Sequence, residues 1–191
     1  MKRFILGAAG FIGSGKSTVC RYFQKFGALC IDADKVVDIL YGPQEEGFQK
    51  VYSFFGDEYL TRGGLLNRKK ISKIVFGDPK KLKILQSLIH PLVTAKIQKM
   101  IDQSKAPFVV LEATYFERKS LWKLVSAILW IDTKKELAFE RLARSRHVSR
   151  EMFEKIYRLQ VRPEKIDYMI SNNGSLPILK QKVADLFKKL R

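Results

Sequence analysis

The stretch Gly10-Phe11-Ile12-Gly13-Ser14-Gly15-Lys16-Ser17 has the spacing of a loop that wraps around phosphate groups. An apolar segment at residues 4–9 predicts a buried strand before it, and an apolar helical stripe follows over residues 19–26. Glycines in such a loop let backbone N–H groups converge on phosphate oxygens at the positive end of the helix. The lysine can reach the β- and γ-phosphates, and the serine hydroxyl can ligate Mg²⁺. We therefore predict a nucleotide-binding set of Gly13, Ser14, Gly15, Lys16, Ser17 and Thr18, with the metal at Ser17.

The segments around this loop predict an α/β fold with a parallel sheet. Strand, helix and strand succeed one another within about 30 residues, which is the length of a βαβ unit. Four further apolar segments predict the remaining strands of a five-stranded sheet flanked by helices: 29–31, 108–111, 127–131 and 168–170. This arrangement is typical of P-loop nucleoside triphosphatases and nucleoside monophosphate kinases.

A long helical pattern interrupts the alternation of strands and helices. It runs from Lys35 to about Ser104 and is too long for a simple crossover between strands. We predict a core of residues 1–34 and 105–191 with a helical insert at about 35–104. Within the insert, Asp78-Pro79 predicts an N-cap with proline at the first helical position. Beyond it, the spacing of Thr133 and Glu136 predicts a capping box that opens a helix.

Composition limits the class of protein. Of 191 residues, 46% are apolar and 29% are charged, which excludes disordered, collagen-like and disulfide-stapled chains. The formal net charge of +17 favours anionic partners such as nucleotides, phosphorylated metabolites or nucleic acid, and a solvated basic surface is the alternative. Cys20 and Cys30 lack CxxC spacing and are expected to be reduced thiols. Apolar runs such as 125–131 are shorter than the roughly 20 residues of a membrane span, so we expect a cytoplasmic protein with no membrane partner.

The loop alone does not distinguish a hydrolase from a kinase. A GTPase would also carry an N-K-x-D motif for the base, which this sequence lacks. Phe108-Val109-Val110-Leu111-Glu112 resembles the acid-ended strand of an ATPase motor, and this alternative stays open. The insert and an arginine-rich turn favour a small-molecule kinase, in which the insert holds the acceptor and a lid at about 141–165 closes over the transferred phosphate. The arginines of this turn are Arg141, Arg144, Arg146 and Arg150.

Two aspartates follow the second predicted strand. Asp32 and Asp34 lie at the sheet edge where parallel α/β proteins bind ligands. A carboxylate there could accept the proton of an acceptor hydroxyl or hold Mg²⁺ through water. Asp34 also directly precedes a helical pattern, so a helix N-cap is an equally consistent interpretation, and one aspartate could do each job.

Several motifs, in this order along nearly the whole chain, resemble those of the dephospho-CoA kinase family. They are Gly13-Ser14-Gly15-Lys16-Ser17-Thr18-Val19, Ile31-Asp32-Ala33-Asp34, Phe55-Gly56, Leu66-Asn67-Arg68-Lys69-Lys70, Ile74-Val75-Phe76, Asp78-Pro79, Leu88-Ile89-His90-Pro91-Leu92 and Asn172-Asn173-Gly174. The phosphate loop is shared by many families, whereas the L-N-R, I-V-F and H-P elements in this order are much more specific. The resemblance implies Mg-ATP-dependent phosphorylation of the ribose 3′-hydroxyl of dephospho-CoA, the last step of coenzyme A synthesis.

The resemblance also implies roles for individual residues. Asp34 would be the catalytic base, and Lys16 with the lid arginines would neutralise charge on the transferred phosphoryl group. The acceptor side would include Asn67, Arg68, His90 and Glu112, and Asn172, Asn173 and Gly174 would form a loop near the adenine. Taken alone, His90 is equally consistent with a capped, partly buried helix histidine.

The sequence departs from the family pattern in three places. Ser145 occupies the position at which the family usually has its lid arginine. The neighbouring Arg144 and Arg146 are candidates for the lid arginine, and Arg141 is a third. The segment 112–118 keeps an acid at Glu112 but lacks the family's proline, and the stretch between Gln160 and Tyr168 is shortened. These departures affect the lid and the donor side more than the identity of the enzyme.

Two other functions compete with this interpretation. One is another P-loop kinase that acts on a small molecule or a nucleoside monophosphate, since pattern alone does not identify the acceptor. The other is a nucleotide-dependent nucleic-acid-binding protein, suggested by the charge. The sequence shows no aromatic RNP-type strand or other recognition module, so nucleic acid is the less favoured partner.

Overall fold

The computed structural model describes residues 3–113 and 121–191, and the departure at 114–118 lies outside them. The chain divides into two compact units. The first unit falls within residues 1–32 and 104–191, and the second comprises Ala33–Gln103.

The first unit contains a five-stranded sheet. Its strands are β1 (Phe4–Ala9), β2 (Leu29–Asp32), β3 (Phe108–Glu112), β4 (Ala127–Asp132) and β5 (Tyr168–Ser171). Their order across the sheet is β2-β3-β1-β4-β5, and all neighbouring strands are parallel. The predicted parallel five-stranded α/β fold is therefore confirmed. Because the strands are parallel, the segments that follow all five meet at one edge of the sheet.

Among the described residues of this unit, the α-helices are α1 (Lys16–Lys25), α6 (Lys135–Arg146), α7 (Arg150–Leu159) and α8 (Leu176–Leu190). The apolar faces of α1 and α8 pack on the sheet, where Phe23, Val183 and Leu129 are almost fully buried. Burial of each such large side chain contributes about 1.5–3 kcal/mol. Cys20 lies in this core and Cys30 packs beside it.

The second unit is helical: α2 (Ala33–Leu40), α3 (Glu46–Phe55), α4 (Arg68–Gly77) and α5 (Pro79–Gln103). The other three helices pack against α5, which buries Ile89, Val93, Ile97 and Ile101 at four-residue spacing. Asp78 Oδ1 accepts hydrogen bonds from the backbone N–H groups of Lys80 and Lys81, which confirms the predicted N-cap before Pro79. Within the described ranges, no helix has both the length and the apolar character needed to cross a bilayer.

Two local predictions are corrected. The capping box at Thr133 and Glu136 is wrong: α6 begins at Lys135, and the Thr133 hydroxyl instead donates to the carbonyl oxygen of Ser14 at 3.0 Å. Asp34 is not the N-cap of its helix, since α2 begins at Ala33, directly after β2, and Asp34 lies in the first turn. In both cases the periodicity of apolar residues predicts a helix but does not determine the residue at which the helix begins.

Candidate functional site

The phosphate loop joins β1 to α1, and two of its glycines are required by its geometry. Gly13 and Gly15 have φ values of 78° and 91°, in the left-handed region. A Cβ atom at Gly13 would lie 2.5 Å from the carbonyl oxygen of Ala138, and one at Gly15 would lie 2.3 Å from Nδ2 of Asn172. The loop is therefore closely covered by the segments that follow β4 and β5, and only glycine fits at these positions.

Lys16 is the first residue of α1 and lies largely buried beside the loop. Its side chain is 8% exposed. Its Nζ donates to the carbonyl oxygen of Gly10 at 2.9 Å and to that of Phe11 at 3.3 Å. A phosphate oxygen carries more negative charge than a carbonyl oxygen and forms stronger hydrogen bonds with an ammonium group. The lysine is thus placed where a nucleotide phosphate could engage it.

Ser17 and Glu112 form the second element of the site. The Ser17 hydroxyl donates to Glu112 Oε1 at 2.6 Å, at the carboxyl end of β3. Burial raises the pKa of the Glu112 carboxyl, and Asp32, its neighbour across β2 and β3, adds to this. The Ser17 hydrogen bond and the charge of Lys16 act in the opposite direction on the same pKa. A hydroxyl and a carboxylate are hard oxygen donors of the kind that Mg²⁺ prefers, so the residues present fit this ion.

The segment after β5 supports the loop from behind. The buried Asn172 side chain donates through Nδ2 to the carbonyl oxygen of Ser14 at 2.7 Å, the same oxygen that Thr133 contacts. Its backbone N–H donates to the carbonyl of Asp132 at 2.8 Å, and Asn173 Oδ1 accepts from the N–H of Lys134 at 2.8 Å. The structure therefore brings Asn172 and Asn173 to the phosphate loop, with Gly174 next to them in the chain.

The structure separates the three candidate lid arginines. Arg141 Nη2 donates to the carbonyl oxygen of Asn172 at 3.0 Å, and burial lowers the pKa of its guanidinium. Arg144 is 82% exposed and lies 3.7 Å from Glu140 one turn earlier, and Arg146 is also exposed. Of the three arginines, Arg141 is therefore the one that contacts the segment after β5, which in turn is hydrogen-bonded to the phosphate loop.

Unpaired polar atoms gather at this loop. Within the described ranges, four buried side-chain atoms have no hydrogen-bond partner: Ser14 Oγ, Trp130 Nε1, Arg141 Nη1 and Gln160 Nε2. Trp130 packs against Phe11 with ring centroids 5.1 Å apart, and Gln160 Oε1 accepts from the N–H of Ile12 at 2.7 Å. A buried donor without a partner costs about 1–3 kcal/mol, so their concentration here is expected of a site built for a polar, anionic ligand.

Sequence reasoning missed Thr133 and Gln160 as parts of this site. Thr133 directly follows the carboxyl end of β4, and ligands of parallel α/β proteins bind at this end of the strands. Its spacing to Glu136 instead favoured the interpretation as a helix N-cap. Gln160 follows the end of α7 and reaches a loop residue 148 positions earlier. We find no local signal for that contact.

The second unit carries the predicted acceptor-side residues. Asp34 is exposed in the first turn of α2. Asn67 caps α4, since its Oδ1 accepts from the N–H of Lys70 at 3.1 Å, and Arg68 forms an ion pair with Asp38 of α2. His90 is half-buried in α5, and its carbonyl oxygen accepts from the Thr94 hydroxyl at 3.0 Å. Asn67, Arg68 and Asp34 therefore all lie at the starts of helices.

Comparison with known proteins identifies the family. A protein-family model described as dephospho-CoA kinase matches residues 4–177. The chain belongs to the dephospho-CoA kinase family. The resemblance found in the sequence is confirmed, and with it the prediction of a P-loop kinase enzyme.

Individual relatives and solved structures match nearly the full length of the chain. A dephospho-CoA kinase from Coxiella burnetii is 33% identical over 189 residues, which cover 96% of this chain and 95% of the relative. The crystal structure of TT1252 from Thermus thermophilus matches with a TM-score of 0.85 and 26% identity, covering 100% of both chains. Dephospho-CoA kinase from Campylobacter jejuni matches with a TM-score of 0.69 and 26% identity, covering 99% of this chain and 98% of the other.

Proposed function

We propose that this protein transfers the γ-phosphoryl group of ATP to the ribose 3′-hydroxyl of dephospho-CoA, which completes the synthesis of coenzyme A. The observation that carries the proposal is the Ser17–Glu112 hydrogen bond beside Lys16, in a chain of the dephospho-CoA kinase family. The bond joins the phosphate-binding loop to an acid at the end of β3, and a loop Ser or Thr together with such an acid holds Mg²⁺ in P-loop enzymes.

The nucleotide side of the reaction belongs to residues 13–18 and the segments that cover them. Backbone N–H groups at the start of α1 would bind the phosphates, and Lys16 would neutralise charge on the group in transfer. Arg141 Nη1 and Ser14 Oγ, both buried and unpaired among the described residues, are further donors for phosphate oxygens. Asn172, Asn173 and Gly174 would contribute to the adenine end.

Mg²⁺ would be held by Ser17 and Glu112 together with phosphate oxygens. The ion supplies charge neutralisation and orientation of the phosphates when bound. Among residues 3–113 and 121–191, no group of three or more His, Cys, Asp and Glu side chains forms a metal cage. Mg²⁺ is commonly bound through one or two protein oxygens together with water and substrate phosphates. Glu112 would act as a carboxylate, so Ser17 keeps its hydrogen-bond acceptor.

The acceptor side of the reaction would use the helical unit. Asp34 lies exposed in the first turn of α2, and its carboxylate would accept the proton of the acceptor hydroxyl. Asn67, Arg68 and His90 would bind the acceptor. Arg68 is suited to the diphosphate of dephospho-CoA, since a guanidinium offers several N–H donors to phosphate oxygens in a planar fork.

The lid would be residues 141–165, with Arg141, Arg144 and Arg146 as its phosphate-binding candidates. Arg150 donates to Glu136 through two nitrogens, at 2.5 and 2.7 Å, and lies 3.2 Å from Glu154. Its role is therefore to hold α6 and α7 together. Arg144 and Arg146 lie in the last turn of α6, next to His147, whose φ is 52°, and would approach the phosphates when the lid closes.

The test is acceptor-dependent turnover by the full chain. We expect ADP release from Mg-ATP to require dephospho-CoA and to give a product heavier by one phosphoryl group, measured by mass spectrometry. EDTA should abolish turnover and excess Mg²⁺ should restore it. Robust turnover with a nucleoside monophosphate and none with dephospho-CoA would overturn the proposal. The free thiols of Cys20 and Cys30 are consistent with a cytoplasmic site of action, which is part of this proposal.

A further inference from the structure

The start of α4 is tied to one face of α2. The guanidinium of Arg68 donates through Nη1 to Oδ1 of Asp38. The same guanidinium lies over the ring of Tyr41, 5.6 Å from its centroid. A carboxylate and an aromatic face thus hold one arginine from two sides, both supplied by the segment at α2.

This contact lies next to Asp34 in the fold of the helical unit. Asp34 and Asp38 are four residues apart in α2, so their side chains lie on one face, one turn from each other. Arg68, bound to Asp38, is therefore placed one helical turn from the proposed catalytic base. The Asp38 and Arg68 side chains are about half exposed, so both remain accessible to a ligand.

We propose that Asp38 is a positioning residue, which fixes Arg68 beside Asp34 so that the arginine receives the diphosphate of the acceptor. The inference rests on the proposed function, because it assigns Arg68 to dephospho-CoA binding. The bond to Asp38 uses Nη1, and a guanidinium has five N–H groups, so this bond does not consume the donors that a diphosphate needs.

Orientation matters for this arginine because its side chain has many rotamers. Ordering a long side chain costs conformational entropy. Because Asp38 and Tyr41 would already order Arg68 in the free enzyme, acceptor binding would lose less entropy. Without the Asp38 carboxylate, the Arg68 side chain would still be present but would no longer be held in one orientation beside α2. The expected effect is therefore on acceptor affinity and not on the chemical step.

The first test is Asp38→Asn in the full chain. We expect the KM for dephospho-CoA to rise by about threefold to fivefold, with kcat and the KM for ATP within about twofold of wild type. Asp38→Glu, which keeps the charge, should recover most of the affinity. The control is Glu46→Gln, which removes an exposed ion pair with Lys50 in the same unit and should change none of these constants.

A double-mutant cycle shows whether Asp38 acts through Arg68. In an Arg68→Ala background, Asp38→Asn should cause no further rise in the KM for dephospho-CoA. The inference is overturned if Asp38→Asn leaves this KM unchanged or lowers it, or if its effect persists in the Arg68→Ala background. A wild-type chain with no dephospho-CoA kinase activity would overturn the proposed function and the inference together, whereas an active enzyme insensitive to Asp38→Asn overturns the inference alone.

Discussion

The Ser17 hydroxyl donates to the Glu112 carboxylate at 2.6 Å, across 95 positions of the sequence. The bond joins the first turn of α1 to the carboxyl end of β3, which pairs directly with β1 in the sheet. The serine is consequently held by a helix that packs on the sheet, and the acid is held by a strand whose five residues are all buried. Their relative position is set by the fold, which is the condition for binding a cation with strict geometry.

Glu112→Gln tests whether the buried carboxylate destabilises the folded protein while contributing to catalysis. Burial raises the pKa of Glu112 in the folded chain, so the folded state binds this proton more tightly than the unfolded state. The free energy of unfolding should therefore fall as pH rises through the raised pKa. We expect Glu112→Gln to have a higher Tm than wild type at pH 7–8, and the difference should vanish near pH 4, below the ordinary glutamate pKa of about 4.3.

The same variant should lose activity. Glu112→Gln retains an oxygen acceptor for Ser17 but no negative charge, and we expect kcat to fall by about a hundredfold with a higher Mg²⁺ requirement. The exposed Glu46→Gln should change neither the Tm profile nor kcat. A variant that is both fully active and no more stable at neutral pH would show that the carboxylate has neither role.

Asp34→Asn tests the proposed base. The amide has nearly the same shape but accepts no proton, so we expect kcat to fall by about 10²–10⁴-fold while the affinity for ATP is retained. Binding of ATP is measured by calorimetry and turnover by coenzyme A formation. Asp57→Asn, in the same unit, is the matched control. An Asp34→Asn enzyme with unimpaired turnover would remove Asp34 as the base.

Two glycines with the same backbone conformation distinguish strain from steric exclusion. Gly15 and Gly27 have φ values of 91° and 92°, but an added Cβ meets Asn172 Nδ2 at 2.3 Å at Gly15 and nothing within 4 Å at Gly27. Gly27→Ala should cost about 1–2 kcal/mol of stability from strain and leave the KM for ATP unchanged. Gly15→Ala should cost more and weaken ATP binding by at least about tenfold. Equal losses in the two variants would contradict the clash.

We expect Arg141 to contribute mainly to ATP affinity, and Arg144 and Arg146 to contribute mainly to kcat. Arg141→Ala removes a guanidinium that contacts Asn172, and we expect the KM for ATP to rise by about tenfold or more. Arg144→Ala and Arg146→Ala remove exposed side chains and should act mainly on kcat, because their contact with phosphate would form as the lid closes. Steady-state kinetics of the three variants checks this, and a larger effect on ATP affinity from Arg144 or Arg146 would reverse the assignment.

Local sequence pattern was sufficient for the fold, and it located the phosphate loop around which the candidate site is described. The phosphate loop predicted β1 and α1, and the predicted strand starts at 108, 127 and 168 agree with those of β3, β4 and β5. Lys16 and Ser17 followed from motif spacing. What local pattern could not supply is which distant segments touch, as with Gln160 and Ile12 or Thr133 and Ser14. Those contacts depend on strand order, which periodicity does not encode.

Asn172 has a consequence for how the protein is made. Its side chain and its carbonyl oxygen bind Ser14 and Arg141, so the support of the phosphate loop depends on a residue 158 positions beyond it. During translation, β1 and the loop leave the ribosome long before their partner exists, and closing such a contact late is slow and exposes the unfinished sheet. A nascent chain can therefore gain ATP as a stabilising ligand only after β5 and Asn172 have been synthesised.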